Sequence, residues 1–150
     1  MKGPWEQAIL LTLPNKVQSK SNYRRGRNWT AFSKYERDLA IEVKAKTPEN
    51  WDIGSYKDKI SKRPKIVIQI LAESLLDAGN LSKSILDALE GVLYHNDASV
   101  AAVTCTGVRS RDGVTILAVA RLKPDSNINE VQYAVRELNK FVTERYNIES

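Results

Sequence analysis

Apolar and polar positions along this chain fall into blocks that switch period several times. Ala8-Ile9-Leu10-Leu11-Thr12-Leu13 is a short apolar run stopped by Pro14, which predicts a first strand. Phe32, Tyr35, Leu39 and Val43 then recur at helical spacing until Thr47-Pro48, with Thr30 or Ser33 suited to cap the helix. Ile66-Val67-Ile68-Gln69-Ile70-Leu71 predicts a second strand. Asn80 opens a helix with Leu81, Ile85, Ala88, Leu89 and Val92 on one face and Lys83, Asp87 and Glu90 on the other. Val100 to Val108 and Val114 to Leu122 are β-rich runs around Arg111-Asp112-Gly113, whose turn chemistry predicts a hairpin. Beyond Pro124, Asp125 to Ile148 predicts a terminal helix through Ile128, Val131, Val135, Leu138 and Val142.

The order β-α-β-α-β-β-α predicts one α+β domain. It would hold a mixed four-stranded sheet with helices on one face, plus an extra C-terminal helix. At 150 residues such a chain is long enough to bury a proper core. Two connections lie outside the pattern. Asn15 to Asn28 carries Lys16, Lys20, Arg24, Arg25 and Arg27 without an acid, and residues 48 to 64 end in Lys57, Lys59, Lys62 and Arg63.

Composition narrows the chemistry. Hydrophobic residues at 42% and charged ones at 27% describe an ordinary globule. A net charge of +5 and a pI near 9.3 suit an anionic partner, and equally a solvated basic surface. Cys105 is the single cysteine, which excludes an intrachain disulfide; with only one histidine it also argues against a structural zinc site. Its strand of small and β-branched residues points to core packing. No run reaches the ~20 apolar residues of a membrane span and no signal-peptide core is present, so a cytoplasmic protein away from membranes is expected.

The polar residues that stand out are Asp77, Asn80 and Lys83 at the mouth of the third element's following helix, and Asp97 beyond its far end. Acidic oxygens can hold Mg²⁺, and a lysine beside them can meet a phosphate. A dozen helical residues span ~18 Å. Asp77 and Asp97 therefore meet only if the loop Gly91 to Asp97 folds back or the sheet joins them. The same residues also serve as helix caps, an i,i+4 pair (Lys83 and Asp87) and a turn acid. Glu73, directly after the second strand, is either a further ligand or an exposed loop acid. His95, beside Asp97, is either a proton donor or simply exposed. Tyr23, Arg24, Arg25 and Arg27 interleave an aromatic ring with guanidinium groups, which suits phosphate contacts and base stacking as well as a solubilising loop.

Asp77-Ala78-Gly79-Asn80-Leu81-Ser82-Lys83, then Leu86-Asp87-Ala88-Leu89, then Asn96-Asp97-Ala98-Ser99-Val100 resembles the RusA-type Holliday junction resolvases. That family's pattern is Asp-x-Asp-Asn-x-x-Lys, a helix with Asp-Ala-Leu, and an Asp-Asp pair before a strand. Asn22-Tyr23-Arg24-Arg25-Gly26-Arg27 is similar to its N-terminal part, and the likeness covers about Ala8 to Leu122. The resemblance implies a RusA-like fold and a homodimer that binds branched DNA in recombination and repair. It also implies phosphodiester hydrolysis with Mg²⁺, Mn²⁺ being an alternative. Asp77 and Asp97 then match metal-binding acids, Lys83 the lysine needed for cleavage, and Asn80 and Asp87 the flanking polar positions. Gly79 and Asn96 depart from the pattern, each standing where an acid is expected. The competing expectation is a DNA-structure-binding or protein-interaction module that kept the fold without the chemistry.

Overall fold

The computed structural model describes residues 1–13, 29–74, 77–110 and 113–149, with backbone alone for 29–36 and Asp38. Seven elements follow in the expected order: β1 (Gln7–Leu13), α1 (Trp29–Lys46), β2 (Lys65–Ser74), α2 (Ala78–Leu89), β3 (Val100–Arg109), β4 (Thr115–Leu122) and α3 (Ile128–Glu149). Short 3-10 turns at Ile60–Lys62 and Asp97–Ser99 lead into β2 and β3. The α+β reading with a mixed four-stranded sheet holds. Thr30 and Ser33 lie inside α1 rather than capping it, because the helix already starts at Trp29.

The sheet order is β1-β4-β2-β3. β2 runs parallel to β3 and antiparallel to β4, and β4 is antiparallel to β1. Side chains of a strand alternate between faces, so β2 feeds two cores. Ile66, Ile68, Ile70 and Ala72 join Leu39 and Val43 of α1 and Leu81, Ile85 and Leu89 of α2. Val67, with Leu71 packed at its margin, joins Ile116, Ala118 and Ala120 of β4 and Ala134, Leu138 and Val142 of α3. Thus α1 and α2 cover one face, and the extra C-terminal helix α3 takes the opposite one. Burial on both sides explains why β2 reads as an unbroken apolar run.

The expected hairpin of Val100–Val108 with Val114–Leu122 does not form. Both strands exist, but β4 pairs with β1 and β2, leaving β3 on the outside of β2. The physical reason lies in β2: flanked by β3 and β4, it satisfies its backbone groups on both edges. The connection after β3 must therefore cross the end of β2, two strand spacings or roughly 10 Å. Ser110 N–H donates to Ser74 O at 3.2 Å and Glu73 N–H to Val114 O at 2.9 Å, stitching that crossing to the end of β2. Gly113 serves the crossing rather than a hairpin turn. A Cβ there would stand 2.8 Å from the Glu73 carbonyl oxygen and collide with the Glu73 side chain.

The connection from α1 to β2 is pinned to the opposite end of the sheet. Arg121 donates to Glu6 at 2.6 Å and to the Asp52 carboxylate and carbonyl at 3.1 and 2.8 Å. Trp51, buried, donates its indole N–H to Leu93 O at 3.1 Å. Among the described residues, no helix is long and apolar enough to cross a membrane.

Candidate functional site at the ends of the β2–α2–β3 crossover

Asp77 is the N-cap of α2, the capping role that the sequence left open to both Asp77 and Asn80. Its carboxylate accepts from Asn80 N–H at 2.8 Å through one oxygen and from the Asn80 side-chain amide at 2.8 Å through the other. An acid at this position satisfies helix N–H groups that have no partner within the helix and complements the positive end of the helix dipole. Asp77 and Asn80 are thereby joined into one polar unit. Gly79 lies inside the first turn, and a Cβ built on it meets only Asp77 Oδ1, at 3.5 Å. Ordinary helical space surrounds this glycine. Neither crowding nor a left-handed backbone requires a glycine there.

Lys83, one turn further on, is exposed, and Asp87 follows it by four residues along the same stripe of α2. The far end of the helix is reversed by Gly91, whose φ of +83° is left-handed and favours glycine. Gly91 N–H donates to Tyr94 O at 2.7 Å, and the buried Tyr94 hydroxyl donates to Leu86 O at 2.7 Å. The loop thus folds back along the last turn of α2 only. Asn96 caps the following 3-10 turn, its Oδ1 accepting from Ala98 N–H at 2.8 Å.

This fold-back carries Asp97 to the neighbourhood of Glu90. Partial shielding of the Glu90 carboxyl, then the neighbouring Asp97 and Asp87, raise its proton affinity above its ordinary value. Tyr94 beneath them is pushed well above the usual phenol range, first by burial and then by Asp97, Glu90 and Asp87. Glu90 is the neighbour that sequence reasoning missed in this role, though its polar-face position on α2 was visible.

Asp77 and Asp97 stand at opposite ends of the crossover. Ser74 is paired with Arg109 at the end where Asp77 follows, whereas Ile66 is paired with Val100 at the end where Asp97 precedes. Ala78 touches Gly107, at 3.9 Å from an ideal Cβ there. From Gly107 back to Val100 the strand spans roughly 23 Å. Within one chain the structure therefore joins Asp77 with Asn80 and brings Asp97 near Glu90, and it keeps the two groups apart. Among the described residues, no three carboxylate, imidazole or thiolate groups gather to hold a metal ion.

Glu73 points away from both groups. It shares the α3 face with Val67 and Leu71, and its carboxylate, near the Tyr146 hydroxyl, raises that phenol's pKa. His95 Nε2 lies 2.8 Å from Gly54 O and its ring meets Tyr56 edge-on at 6.1 Å, so it ties the preceding connection to the Asp97 loop. Cys105 packs at the margin of the α1/α2 core, and burial pushes its thiol up to about 11, which keeps it protonated at neutral pH. Tyr23, Arg24, Arg25 and Arg27 lie outside the described residues.

Fold and side chains together define a small α+β protein with polar chemistry concentrated at the two ends of one β-α-β crossover. Residues 8–119 match the family model of endodeoxyribonuclease RusA. The chain belongs to the RusA endodeoxyribonuclease family. The match runs from β1 into β4, so the whole crossover lies inside it and α3 lies beyond it. No curated protein matches the chain.

Proposed function

We propose that this protein is a RusA-type endonuclease that binds four-way and other branched DNA and hydrolyses phosphodiester bonds in recombination and repair. The observation that carries the reading is the family match across the crossover bearing Asp77, Asn80, Lys83, Asp87 and Asp97. The working unit is a homodimer in a non-membrane, cytoplasmic setting. Two copies supply a geometric remedy for the separation of the acids. β3 is the outer strand of the sheet, and two-fold pairing of β3 with its copy runs antiparallel. Such pairing sets the Asp97 end of one chain beside the Asp77 end of the other.

The described acids of one chain do not by themselves fit a Mg²⁺ or Mn²⁺ ion, whereas Asp77 from one copy and Asp97 from the other give a shared carboxylate pair. A divalent ion bound there would supply charge neutralisation and an activated water. The residues of this chain have separable tasks. Asn80 holds the Asp77 carboxylate in place, and exposed Lys83 offers a cation to a phosphate oxygen where charge develops. Tyr23, Arg24, Arg25 and Arg27 provide backbone and base contacts to DNA.

A second reading is favoured by Gly79 and by the double engagement of Asp77 with Asn80. In it the protein binds branched DNA, or a protein partner, without cutting. Labelled four-way junction incubated with the protein in Mg²⁺, Mn²⁺ or EDTA separates the two. Paired, metal-dependent incisions lost in Asp97→Asn support the nuclease. Binding without incision supports the second reading, and Gly79→Asp is then expected to restore cutting at least tenfold above background, since a Cβ there makes only an ordinary contact with Asp77. Absence of both binding and incision rejects both readings.

A further inference from the structure

The connection before β2 builds a cationic, partly aromatic platform beside Asp97 that no reading above uses. Its backbone is fixed from within. Ser55 N–H donates to the Asp58 carboxylate at 3.1 Å, Asp58 N–H returns to Ser55 O at 3.1 Å, and Arg63 Nε donates to Asp58 O at 3.0 Å. Asp58 is the single acid between Ser55 and Lys65, and it faces into this turn. Gly54, with φ +80°, makes the bend, and Pro64 packs against it.

On this frame Lys57, Lys59 and Lys62 are exposed, as are Tyr56 at 68% and Ile60 at 70%. Lys59 precedes the 3-10 turn Ile60–Lys62 as its N-cap and Lys62 closes it, which sets two cations within one short turn. Lys57 Nζ lies 5.8 Å from the centre of the Tyr56 ring. Single exposed apolar residues are commonplace on protein surfaces. An aromatic ring and an aliphatic side chain interleaved with three lysines on a rigid turn form a surface suited to a polyanion with exposed base faces.

Location gives the platform its meaning. His95 bonds Gly54 O and meets the Tyr56 ring, and the single extended residue Asn96 separates His95 from Asp97. Tyr56 is therefore on the order of 15 Å from Asp97, about four nucleotide steps along a strand. Asp97, Glu90 and Asp87 together repel a phosphate backbone, and a cationic surface beside them offsets that repulsion.

We infer that Tyr56, Lys57, Lys59 and Lys62 form a DNA-contact surface, the lysines holding backbone phosphates and Tyr56 stacking on an unpaired base next to the Asp97 end. This inference rests on the DNA-binding reading above. Fluorescence anisotropy with labelled four-way junction, single strand and duplex tests it across a salt series. The variant Lys57→Ala/Lys59→Ala/Lys62→Ala is compared with a charge-matched control on the α3 side, Lys123→Ala/Arg136→Ala/Lys140→Ala. The platform variant should bind the junction at least tenfold more weakly, with a salt slope lower by about two to three. The control should change less than threefold, and both should melt like the parent protein. Tyr56→Ala should weaken junction and single-strand binding several-fold more than duplex binding. Equal losses in platform and control variants overturn the surface while leaving the DNA-binding reading intact. A parent protein that binds none of the three DNAs overturns both.

Discussion

At the scale of single residues, the acids of the crossover are legible by type and illegible by neighbourhood. Asp77, Asn80, Lys83 and Asp97 stand out because few other stretches place an acid, an amide and a cation around a helix start. Their spacing along the chain cannot reveal that Asp97 settles against Glu90. That contact depends on Gly91 reversing the chain and on Tyr94 reaching back to Leu86. Glu90 also terminates α2, where the negative end of the helix dipole faces it. Its raised proton affinity means that ionisation is easier in the unfolded chain than in the folded one. The stability linked to Glu90 is complete below the ordinary carboxylate pKa and is lost as pH rises through the folded value. Glu90→Gln should therefore leave the melting temperature near pH 4 unchanged and raise it near pH 7. A melting curve series across that range reads the difference, and equal shifts at both ends would remove the raised proton affinity of Glu90 as its cause.

At the scale of elements, every helix and strand was foreseeable from period and breakers, and one partnership was not. Val100–Val108 and Val114–Leu122 look like hairpin arms because Arg111-Asp112-Gly113 carries turn chemistry, and turn chemistry is local information. Which strand wins the neighbouring edge is decided by β2, whose side chains need cover on both faces and whose backbone needs partners on both edges. The glycine was noticed for its conformational freedom, whereas the structure uses its lack of a side chain. Gly113→Ala should cost about 2 kcal/mol, because a Cβ would press on the Glu73 carbonyl that closes the crossing. Urea denaturation measures this loss; amide exchange at Glu73, whose N–H bonds Val114 O, should accelerate with it.

At the scale of the whole molecule, α3 is structural despite lying beyond the family match. Without it Val67, Ile116, Ala118, Ala120 and Leu122 would form an open apolar sheet face. Leu138, fully buried in that layer, should cost about 3 kcal/mol when replaced by alanine. Equilibrium unfolding checks the value, and DNA binding by the surviving folded fraction should match the parent, since the crossover and the Tyr56 platform lie elsewhere.

The sheet order has a consequence for the birth of the chain. β1 is made before the other strands, yet its strand partner is β4, with Gln7 opposite Arg121. The β2–α2–β3 crossover can assemble during translation, while β1 waits until β4 has been made before it gains a neighbour. During that interval Ile9, Leu11 and Leu13 are an apolar strand without a sheet, open to chaperones and to other nascent chains. A stall in translation before β4 would therefore release a fragment with one finished half and one adhesive end.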